Sequence, residues 1–347
     1  MYRICVRLLV VLLIGLGASL IGCTNTVSTS TNEPNQNNTD TVVNHTFTGS
    51  LVSVDPTGFD GRAGIGAAVI GGKIFLIGGE GPSGTTFGTL QIFDTATNVW
   101  TTPSTTGDFT PRKYLAAATV GGKIYAIGGC VSGGSNVIPV NTLEMFDPTT
   151  NNWSTPSTTG TFSARYGLTA SVVGSKIYVI GGFDGTNAVT TLEVFDPSTN
   201  TWSTPKTTGS MTARNHLAAA VVRGKIYLMG GSPGTPAGLS TLEVFDPATN
   251  TWSTPKTTGT MTPRSGLAAT VVNGIIYAVD GQAGSTFLNT FEAFDPVLNT
   301  WTSVPTAQPL VPRFYPTANA IGNKLFISGG YDGRVEVMLD EVFTQSK

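Results

Sequence analysis

Aromatic, amide and charged residues stand at two recurring places in this chain: just after an arginine that returns about every fifty residues, and just after a glycine that follows each arginine. The candidate binding residues at the first place are Lys113, Tyr114, Tyr166, Asn215, His216, Ser265, Phe314 and Tyr315. Those at or near the second place are Glu80, Asp184, Gln282, Asp332 and Arg334. Aromatic faces interleaved with amides and carboxylates supply flat apolar stacking and directional hydrogen bonds, as the binding of a carbohydrate or a peptide requires. The alternative is that many of these residues are ordinary solvated loop side chains.

Catalytic and metal-binding patterns are mostly absent from the sequence. The two histidines, His45 and His216, are too few for a histidine cluster that binds a metal. No nucleophile elbow, zinc-binding HExxH helix, P-loop or dinucleotide fingerprint is present. A calcium site from Glu80, Asp184 or Asp332 would need ligands from different repeats. We therefore predict no catalytic residue, no metal and no cofactor, and keep an enzyme as the alternative to a binding module.

One carboxylate departs from the repeat. Asp280 ends an apolar run at a position where the other repeats have glycine. A carboxylate there costs free energy unless it is paired or hydrated. One interpretation is that aspartate replaced glycine without gaining a function, because aspartate tolerates a left-handed backbone. The other is that Asp280 faces a central channel as an acid, a base or a ligand oxygen.

The elements that must position these residues form six repeats. The opening arginines are Arg62, Arg112, Arg165, Arg214, Arg264 and Arg313. A glycine stands 17 residues after each of them, at Gly79, Gly129, Gly182, Gly231, Gly281 and Gly330. All five tryptophans stand 12 residues before the next arginine, at Trp100, Trp153, Trp202, Trp252 and Trp301. A period near fifty with four short apolar runs per unit indicates radial or stacked repetition.

The third repeat shows the four runs of one unit. Gly167–Val173 predicts strand a, Lys176–Gly181 predicts strand b, and Thr191–Phe195 predicts strand c. Asp196–Asn200 predicts a turn, because aspartate accepts local backbone hydrogen bonds, proline fixes φ and asparagine adopts a left-handed conformation. Trp202 then opens strand d.

Three features of this unit resemble the kelch-repeat family: the paired glycines after strand b, the turn motif seen in Asp246–Trp252, and the opening arginine. The resemblance extends across nearly all of residues 47–347. It implies an all-β, six-bladed β-propeller with four antiparallel strands per blade, used to bind a protein or a glycan. The chain also resembles the sialic-acid mutarotases, which are enzymes with a six-bladed kelch propeller. An enzyme of this type is therefore the alternative to a binding module. It departs from the family where phenylalanine replaces the usual tyrosine before the turn aspartate, at Phe93, Phe146, Phe195, Phe245 and Phe294.

The two ends of the repeat region predict how the ring closes. The sixth repeat reaches Phe343 at the end of its strand c, before any turn or tryptophan. Residues Phe47–Val54 stand ahead of the first arginine, where a strand d should lie. We therefore expect this N-terminal strand to complete blade six and to remove an open sheet edge.

Length varies in one connection of the repeat. The spans from arginine to glycine, from the strand-c phenylalanine to the tryptophan, and from the tryptophan to the arginine are constant at 17, 7 and 12 residues. The span from glycine to phenylalanine, which contains the b–c loop, ranges from 13 to 17 residues. In an up-and-down propeller, the b–c and d–a connections emerge on one face. Since function tends to lie on variable loops held by a rigid scaffold, we predict that this face binds the ligand.

The opening arginines recur together with an acidic or amide residue in strand c. These strand-c residues are Gln91, Glu144, Glu193, Glu243, Glu292 and Glu341. We expect the two sets to pair and to maintain blade geometry. The alternative is that the arginines bind an anionic ligand near the mouth of the ring.

The first 46 residues predict an export signal and a tether. Arg3 and Arg7 flank the apolar run Leu8–Leu20, so residues 1–22 predict a signal peptide. The residues that end at Cys23 resemble the lipobox of bacterial lipoproteins, in which this cysteine carries lipid; an ordinary signal peptide or a short membrane anchor is the alternative. Residues 23–46 are rich in Thr, Ser and Asn and predict a flexible tether. We expect a bacterial protein that a lipid alone attaches to the outer membrane or cell surface.

The net charge bears on the class of partner, and the cysteine count bears on disulfide formation. Without the signal peptide, 17 basic and 21 acidic residues give a net charge of −4, with no basic block, so nucleic acid is not an expected partner. Cys130 would be the single thiol of the propeller, so no internal disulfide is expected. We expect a monomer.

Overall fold

In the computed structural model of the protein, the described residues are 49–345 with gaps at 55, 134–135, 236, 307, 335–336 and 338–339. The predicted signal peptide 1–22, the lipidated Cys23 and the tether 23–46 lie outside the described residues, as do Phe47 and Thr48 of the predicted closing strand. The described part of the chain contains no helix that is long and apolar enough to cross a bilayer.

Six four-stranded antiparallel sheets form the blades of a propeller, which confirms the predicted fold. The innermost strands, a, are Gly66–Ile70, Ala116–Val120, Thr169–Val173, Ala218–Val222, Ala268–Val272 and Thr317–Ile321. Strands b are Lys73–Ile77, Lys123–Ile127, Lys176–Ile180, Lys225–Met229, Ile275–Val279 and Lys324–Ser328. Strands c are Leu90–Asp94, Leu143–Asp147, Leu192–Asp196, Leu242–Asp246, Phe291–Asp295 and Asp340–Gln345. The outermost strands, d, are Val99–Thr101, Asn152–Ser154, Thr201–Ser203, Thr251–Ser253, Thr300–Ser303 and, for blade six, Gly49–Val54.

The core lies between neighbouring blades. Strand b is apolar on both faces because a blade covers each side of it, and in blade three Ile177 and Val179 are fully buried. Trp202 of strand d packs on Phe195 of strand c and on Phe162 of the incoming d–a segment, with ring centroids 5.0 and 4.6 Å apart. The recurring tryptophan therefore fixes the outer strand against its own blade.

The c–d turn of blade three forms as predicted, whereas its strand a begins later than predicted. Asp196 Oδ1 accepts a hydrogen bond of 3.0 Å from the backbone N–H of Ser198, and Asn200 has φ 54°. Strand a of blade three begins at Thr169 and not at the predicted Gly167. The reason is that Gly167 donates its backbone N–H to Tyr114 of the neighbouring blade.

Blade six holds both ends of the described chain, as predicted. Gly49–Val54 pairs antiparallel with Asp340–Gln345, with Gly49 opposite Gln345 and Val54 opposite Asp340. The innermost strand of blade six contacts those of blades one and five, so the ring is closed. The N-terminal strand thus covers an edge that would otherwise be free to pair with another chain.

The two faces of the ring differ. The face with the b–c and d–a connections, here called the mouth face, carries the added elements: a 3₁₀ turn, Pro82–Gly84, in blade one, the hairpin Cys130–Gly133 with Asn136–Pro139 in blade two, and the short hairpin Gln282–Ala283 with Thr286–Phe287 in blade five. The opposite face, here called the turn face, carries the a–b and c–d turns. The added elements all lie in b–c connections. The long span of blade two predicts its hairpin, whereas the hairpin of blade five lies in a span of the shortest length, 13 residues.

Each opening arginine joins two blades through its backbone. The carbonyl oxygen of Arg214 accepts a hydrogen bond of 2.9 Å from the N–H of Gly182, the second glycine of the preceding blade. The same bond recurs at all six junctions, at 2.9 to 3.0 Å. Glycine is required there because a Cβ on Gly182 would lie 2.9 Å from the carbonyl oxygen of Tyr166, at φ 108°.

The side chains of these arginines are fully buried, at 0% exposure, so the alternative of an anionic ligand on them is wrong. Four of the predicted ion pairs are present: Arg112 with Glu144, Arg165 with Glu193, Arg214 with Glu243 and Arg264 with Glu292. The first junction differs, since the amide of Gln91 cannot balance a charge. Arg62 pairs there with Asp60, which also accepts a hydrogen bond from Gln91.

Arg313 and Asp280 form the sixth ion pair. Asp280 is fully buried at φ 54°, and its Oδ2 lies 3.5 Å from Nε of Arg313 in the next blade. The predicted partner, Glu341, has its side chain outside the described part of the chain. Asp280 therefore serves as an inter-blade counter-ion, and the interpretation of it as a channel-facing acid is wrong.

We expect removal of the closing strand to destabilise the ring. Deleting residues 1–54 leaves the outer edge of strand c in blade six unpaired, while its other edge still pairs with strand b. The melting temperature should fall by about 5 °C or more, because a loss of 1 kcal/mol shifts it by about 2–4 °C in a large domain. Thermal unfolding followed by circular dichroism measures this shift. Deleting only residues 1–46 is the control and should leave the melting temperature unchanged; equal values for the two deletions would contradict the role of the strand.

Candidate functional site

The two sets of predicted binding positions form one rim on the mouth face. In each blade, the residue after the arginine and the residue after the second glycine exchange two backbone hydrogen bonds. In blade three, Tyr166 and Phe183 do so at 3.1 and 2.8 Å. The six rim pairs are Ala63 with Glu80, Lys113 with Cys130, Tyr166 with Phe183, Asn215 with Ser232, Ser265 with Gln282, and Phe314 with Tyr331.

A closed circle of six backbone hydrogen bonds lies just inside the rim. Each member donates its N–H to the carbonyl of the member in the preceding blade, at 2.7 to 3.3 Å. The members are Gly64, Tyr114, Gly167, His216, Gly266 and Tyr315. All six have φ between 50° and 63°. The left-handed backbone turns each N–H along the circle, and this circle holds the six blades in register.

Glycine and ring side chains alternate around the circle for a steric reason. A Cβ on Gly64 would lie 2.5 Å from Cδ1 of Tyr114, and one on Gly167 would lie 2.2 Å from Cδ2 of His216. Each ring thus lies over the glycine of the preceding blade. The three side chains, Tyr114, His216 and Tyr315, converge with ring centroids 4.7 to 5.3 Å apart and are here called the plug.

The plug is electrically neutral. Burial lowers the pKa of His216 to about 3, so its imidazole is uncharged at neutral pH. Burial also raises the pKa of Tyr315 well above its usual value. The Tyr315 hydroxyl lies 2.8 Å from Nδ1 of His216, which the neutral imidazole can offer as an acceptor. The predicted binding residues His216 and Tyr315 therefore hold each other in the channel.

A charged pair lies beside the plug. Lys113 and Glu80 form an ion pair between blades two and one, and the Tyr114 hydroxyl donates to Oε2 of Glu80 at 3.3 Å. Below them Cys130 is fully buried, and burial raises the pKa of its thiol to about 12, so the thiol is unreactive at neutral pH.

One cleft of about 680 Å³ opens on the mouth face between the loops of blades one, five and six. Six of the thirteen predicted binding residues line it: Glu80, Tyr114, Gln282, Phe314, Tyr315 and Arg334. Phe287 meets Phe314 and Tyr331 edge to face, with ring centroids 6.3 and 5.9 Å apart. The cleft therefore combines an aromatic wall with amide and charged groups, which is the chemistry predicted for this face.

The other predicted residues lie outside this lining. Lys113 and Tyr166 belong to the rim, and His216 belongs to the plug. Asn215 and Ser265 are buried in their rim pairs.

The two loop aspartates support turns. Asp184 accepts hydrogen bonds of 2.7 Å from the backbone N–H groups of Asn187 and Thr186, and these bonds lower its pKa. Asp332 accepts one of 2.8 Å from the N–H of Arg334. Among the described residues, no three histidine, cysteine, aspartate or glutamate side chains converge as metal ligands would.

Sequence reasoning missed part of the cleft. Phe287, Pro82 and Ala63 also line it. An aromatic residue within the polar b–c loop of repeat five was the available signal for Phe287. Nothing local marks Ala63, which leaves room in the cleft because its side chain is small.

The steric reason for glycine in the circle predicts a difference between two alanine substitutions. Gly167 and Gly174 have φ of 61° and 64°, but a Cβ on Gly174 would meet nothing within 4 Å. Both changes strain the backbone, and Gly167→Ala also overlaps His216, so it should lower the free energy of unfolding by about 1–3 kcal/mol more than Gly174→Ala. Urea unfolding measures both, and equal losses would contradict the packing of the plug.

The low pKa of His216 predicts a pH dependence. In the unfolded chain this histidine titrates near 6.5, so between pH 6.5 and 3 the unfolded state binds more protons and stability falls as the pH falls. His216→Asn should remove up to about 1.4 kcal/mol per pH unit of this dependence. Urea unfolding at pH 7, 6 and 5 measures the slope. Tyr315→Phe, the control, keeps the histidine and should keep the slope; an unchanged slope in His216→Asn would show that the site does not resist protonation.

The propeller is similar to known kelch-repeat domains. A family model described as the KLHDC2/KLHL20/DRC7 Kelch-repeats domain matches residues 20–162 and 115–330. The Rho GTPase-activating protein gacHH of Dictyostelium discoideum is 37% identical over 123 residues, which are 34% of this chain and 8% of that protein. The chain thus spans a small part of that relative's length, whereas the family match covers most of the propeller. A kelch propeller suggests a protein-binding module, and this chain belongs to the kelch-repeat family.

Proposed function

We propose that the protein is a lipid-anchored, extracytoplasmic binding module that holds a glycan or protein ligand on its mouth face. The observation that carries this proposal is the cleft of about 680 Å³ between blades one, five and six. Its size suits a few sugar rings or a short peptide segment.

The composition of the cleft supports a ligand with flat apolar surfaces and polar edges. Phe314 and Tyr331 are partly exposed and present aromatic rings on one wall. Gln282 adds an amide, and Arg334 adds an exposed guanidinium. Rings held by neighbouring side chains bind with little loss of conformational entropy, so a rigid wall of this kind favours affinity.

The buried charges favour binding over catalysis. An enzyme of the mutarotase type would use an accessible arginine beside a free acid and a base. The six opening arginines are fully buried in ion pairs, and the exposed Arg334 shares the cleft lining with one carboxylate, Glu80, which Lys113 already pairs. His216 is neutral within the plug, and Glu80 is occupied by Lys113 and Tyr114. These groups serve the scaffold, and the cleft retains the groups suited to recognition.

The cellular place of this module is part of the proposal. The pattern of residues 1–23, with two arginines, an apolar run and a cysteine after small residues, supports export and lipid attachment at Cys23. The net charge of −4 after removal of the signal peptide disfavours nucleic acid as a partner. We expect the protein to act as a monomer at a bacterial outer membrane or cell surface.

The cleft predicts which substitutions weaken binding. On glycan and peptide arrays probed with residues 47–347, Tyr331→Ala and Arg334→Ala should each weaken binding of the captured ligand by about tenfold, or about 1.4 kcal/mol. Tyr166→Ala removes a rim aromatic outside the cleft and should bind like the unchanged protein. Titration of the best array ligand by calorimetry measures the affinities. Binding that survives both cleft substitutions and fails in Tyr166→Ala would place the ligand elsewhere on the rim.

A further inference from the structure

The chain joins the propeller on the turn face. In blades one to five, strand c ends at the c–d turn, which lies on this face. In blade six, strand c ends at Gln345, and Gly49 lies opposite that residue. Gly49, where the described chain begins, therefore lies at the turn face of blade six, on the side away from the cleft.

Exposed apolar side chains lie on the same face in the two blades that flank blade six. Val99 in blade one is 50% exposed, and Val297 and Leu298 in blade five are 60% and 52% exposed. Blades one and five are the neighbours of blade six because their innermost strands contact its innermost strand. We call these three residues the apolar turn residues.

Comparison among the repeats shows that these positions are polar or small elsewhere. The residues equivalent to Leu298 are Thr97, Thr150, Thr199 and Thr249. Those equivalent to Val297 are Ala96, Thr149, Ser198 and Ala248. Those equivalent to Val99 are Asn152, Thr201, Thr251 and Thr300. The fold therefore does not require large apolar side chains at these three positions. Exposed apolar side chains also occur at Val137 and Ile138 of the blade-two hairpin on the mouth face.

The turn in blade five presents its apolar residues rigidly. Asp295 Oδ1 accepts hydrogen bonds from the backbone N–H groups of Val297 and Leu298, at 2.7 and 3.2 Å. Strand b of this blade begins with Ile275, where blades one to four have a lysine that pairs with the turn aspartate on the surface. Burying the blade-five turn against an apolar phase therefore desolvates no ammonium group at this position, whereas the blade-one turn that carries Val99 keeps the pair of Lys73 with Asp94.

We propose that the turn face around blade six rests on a lipid surface, so that the cleft faces away from it. The proposal rests on the proposed function only in its use of an anchored chain. Three apolar side chains are too few to hold a protein on a bilayer alone. An anchored chain that enters the propeller at Gly49 would give them a high effective concentration near the membrane. The lipid anchor and the apolar turn residues would then together orient the propeller with its turn face toward the membrane.

Site-specific labelling tests this orientation without relying on lipidation. Residues 24–347 carry a hexahistidine tag in place of residues 1–23 and are tethered to phosphatidylcholine vesicles that contain a nickel-chelating lipid. A polarity-sensitive NBD label is attached in Leu298→Cys, in the matched turn variant Thr249→Cys of blade four, and in Thr186→Cys on the mouth face. Cys130 is fully buried and does not compete for the label.

We expect the label at position 298 to move to shorter emission wavelength on vesicles, to brighten about twofold, and to be quenched by nitroxide lipids. The labels at 249 and 186 should stay as in water. With the label placed in Val99→Cys, the additional changes Val297→Ser and Leu298→Ser should abolish its response, which shows that the apolar turn residues act together.

Three outcomes would overturn the proposal. The label at 298 could behave like that at 249, the label at 186 could be the shielded one, or the response could appear without vesicles and rise with protein concentration, which would show a second copy on this face. Absence of lipid on Cys23 in the bacterial cell would instead contradict the proposed function and leave the contact intact, because the nickel tether replaces the anchor.

Discussion

The circle of backbone hydrogen bonds at the mouth constrains the rest of the molecule. Six carbonyl and N–H groups can close head to tail only if each blade contributes one residue in the left-handed region at the same radius. This requirement explains why strand a begins two residues later than its pattern suggests in blade three. It also explains the alternation of glycine with Tyr114, His216 and Tyr315, since the channel has room for three rings and not for six.

The buried arginines form a second set of contacts at the junctions between neighbouring blades. Each carries a guanidinium into a place without water, where an unpaired charge would be costly, so each needs a carboxylate nearby. Four blades use a glutamate of strand c, while Arg62 uses Asp60 and Arg313 uses Asp280 of the preceding blade. The constant element is the buried charge, and the source of its counter-ion is free to change.

The mouth face is asymmetric, although the contacts between blades recur around the ring. Rim pairs and circle recur in all six blades, but the b–c loops differ, and the cleft opens where Ala63 is small and where Phe287 and Tyr331 form a wall. The turn face is asymmetric in a different way, through the apolar turn residues that flank blade six. The two faces of the ring therefore differ, in line with the ligand binding proposed for the mouth face and the lipid contact proposed for the turn face.

The sequence by itself determined the architecture, because it is set by local signals that repeat. The spacing of Arg165, Gly182 and Trp202 marks one blade, and the missing strand after Phe343 predicts the closure that Gly49–Val54 makes. The tertiary structure alone decided which rim residues line the cleft. His216 and Tyr315 stand 99 residues apart and meet in the channel, while Ala63 and Tyr331 reach one cleft only because the ring closes. Side-chain direction at a left-handed residue, and contact between the first blade and the last, are properties of the closed ring and leave no local pattern in the sequence.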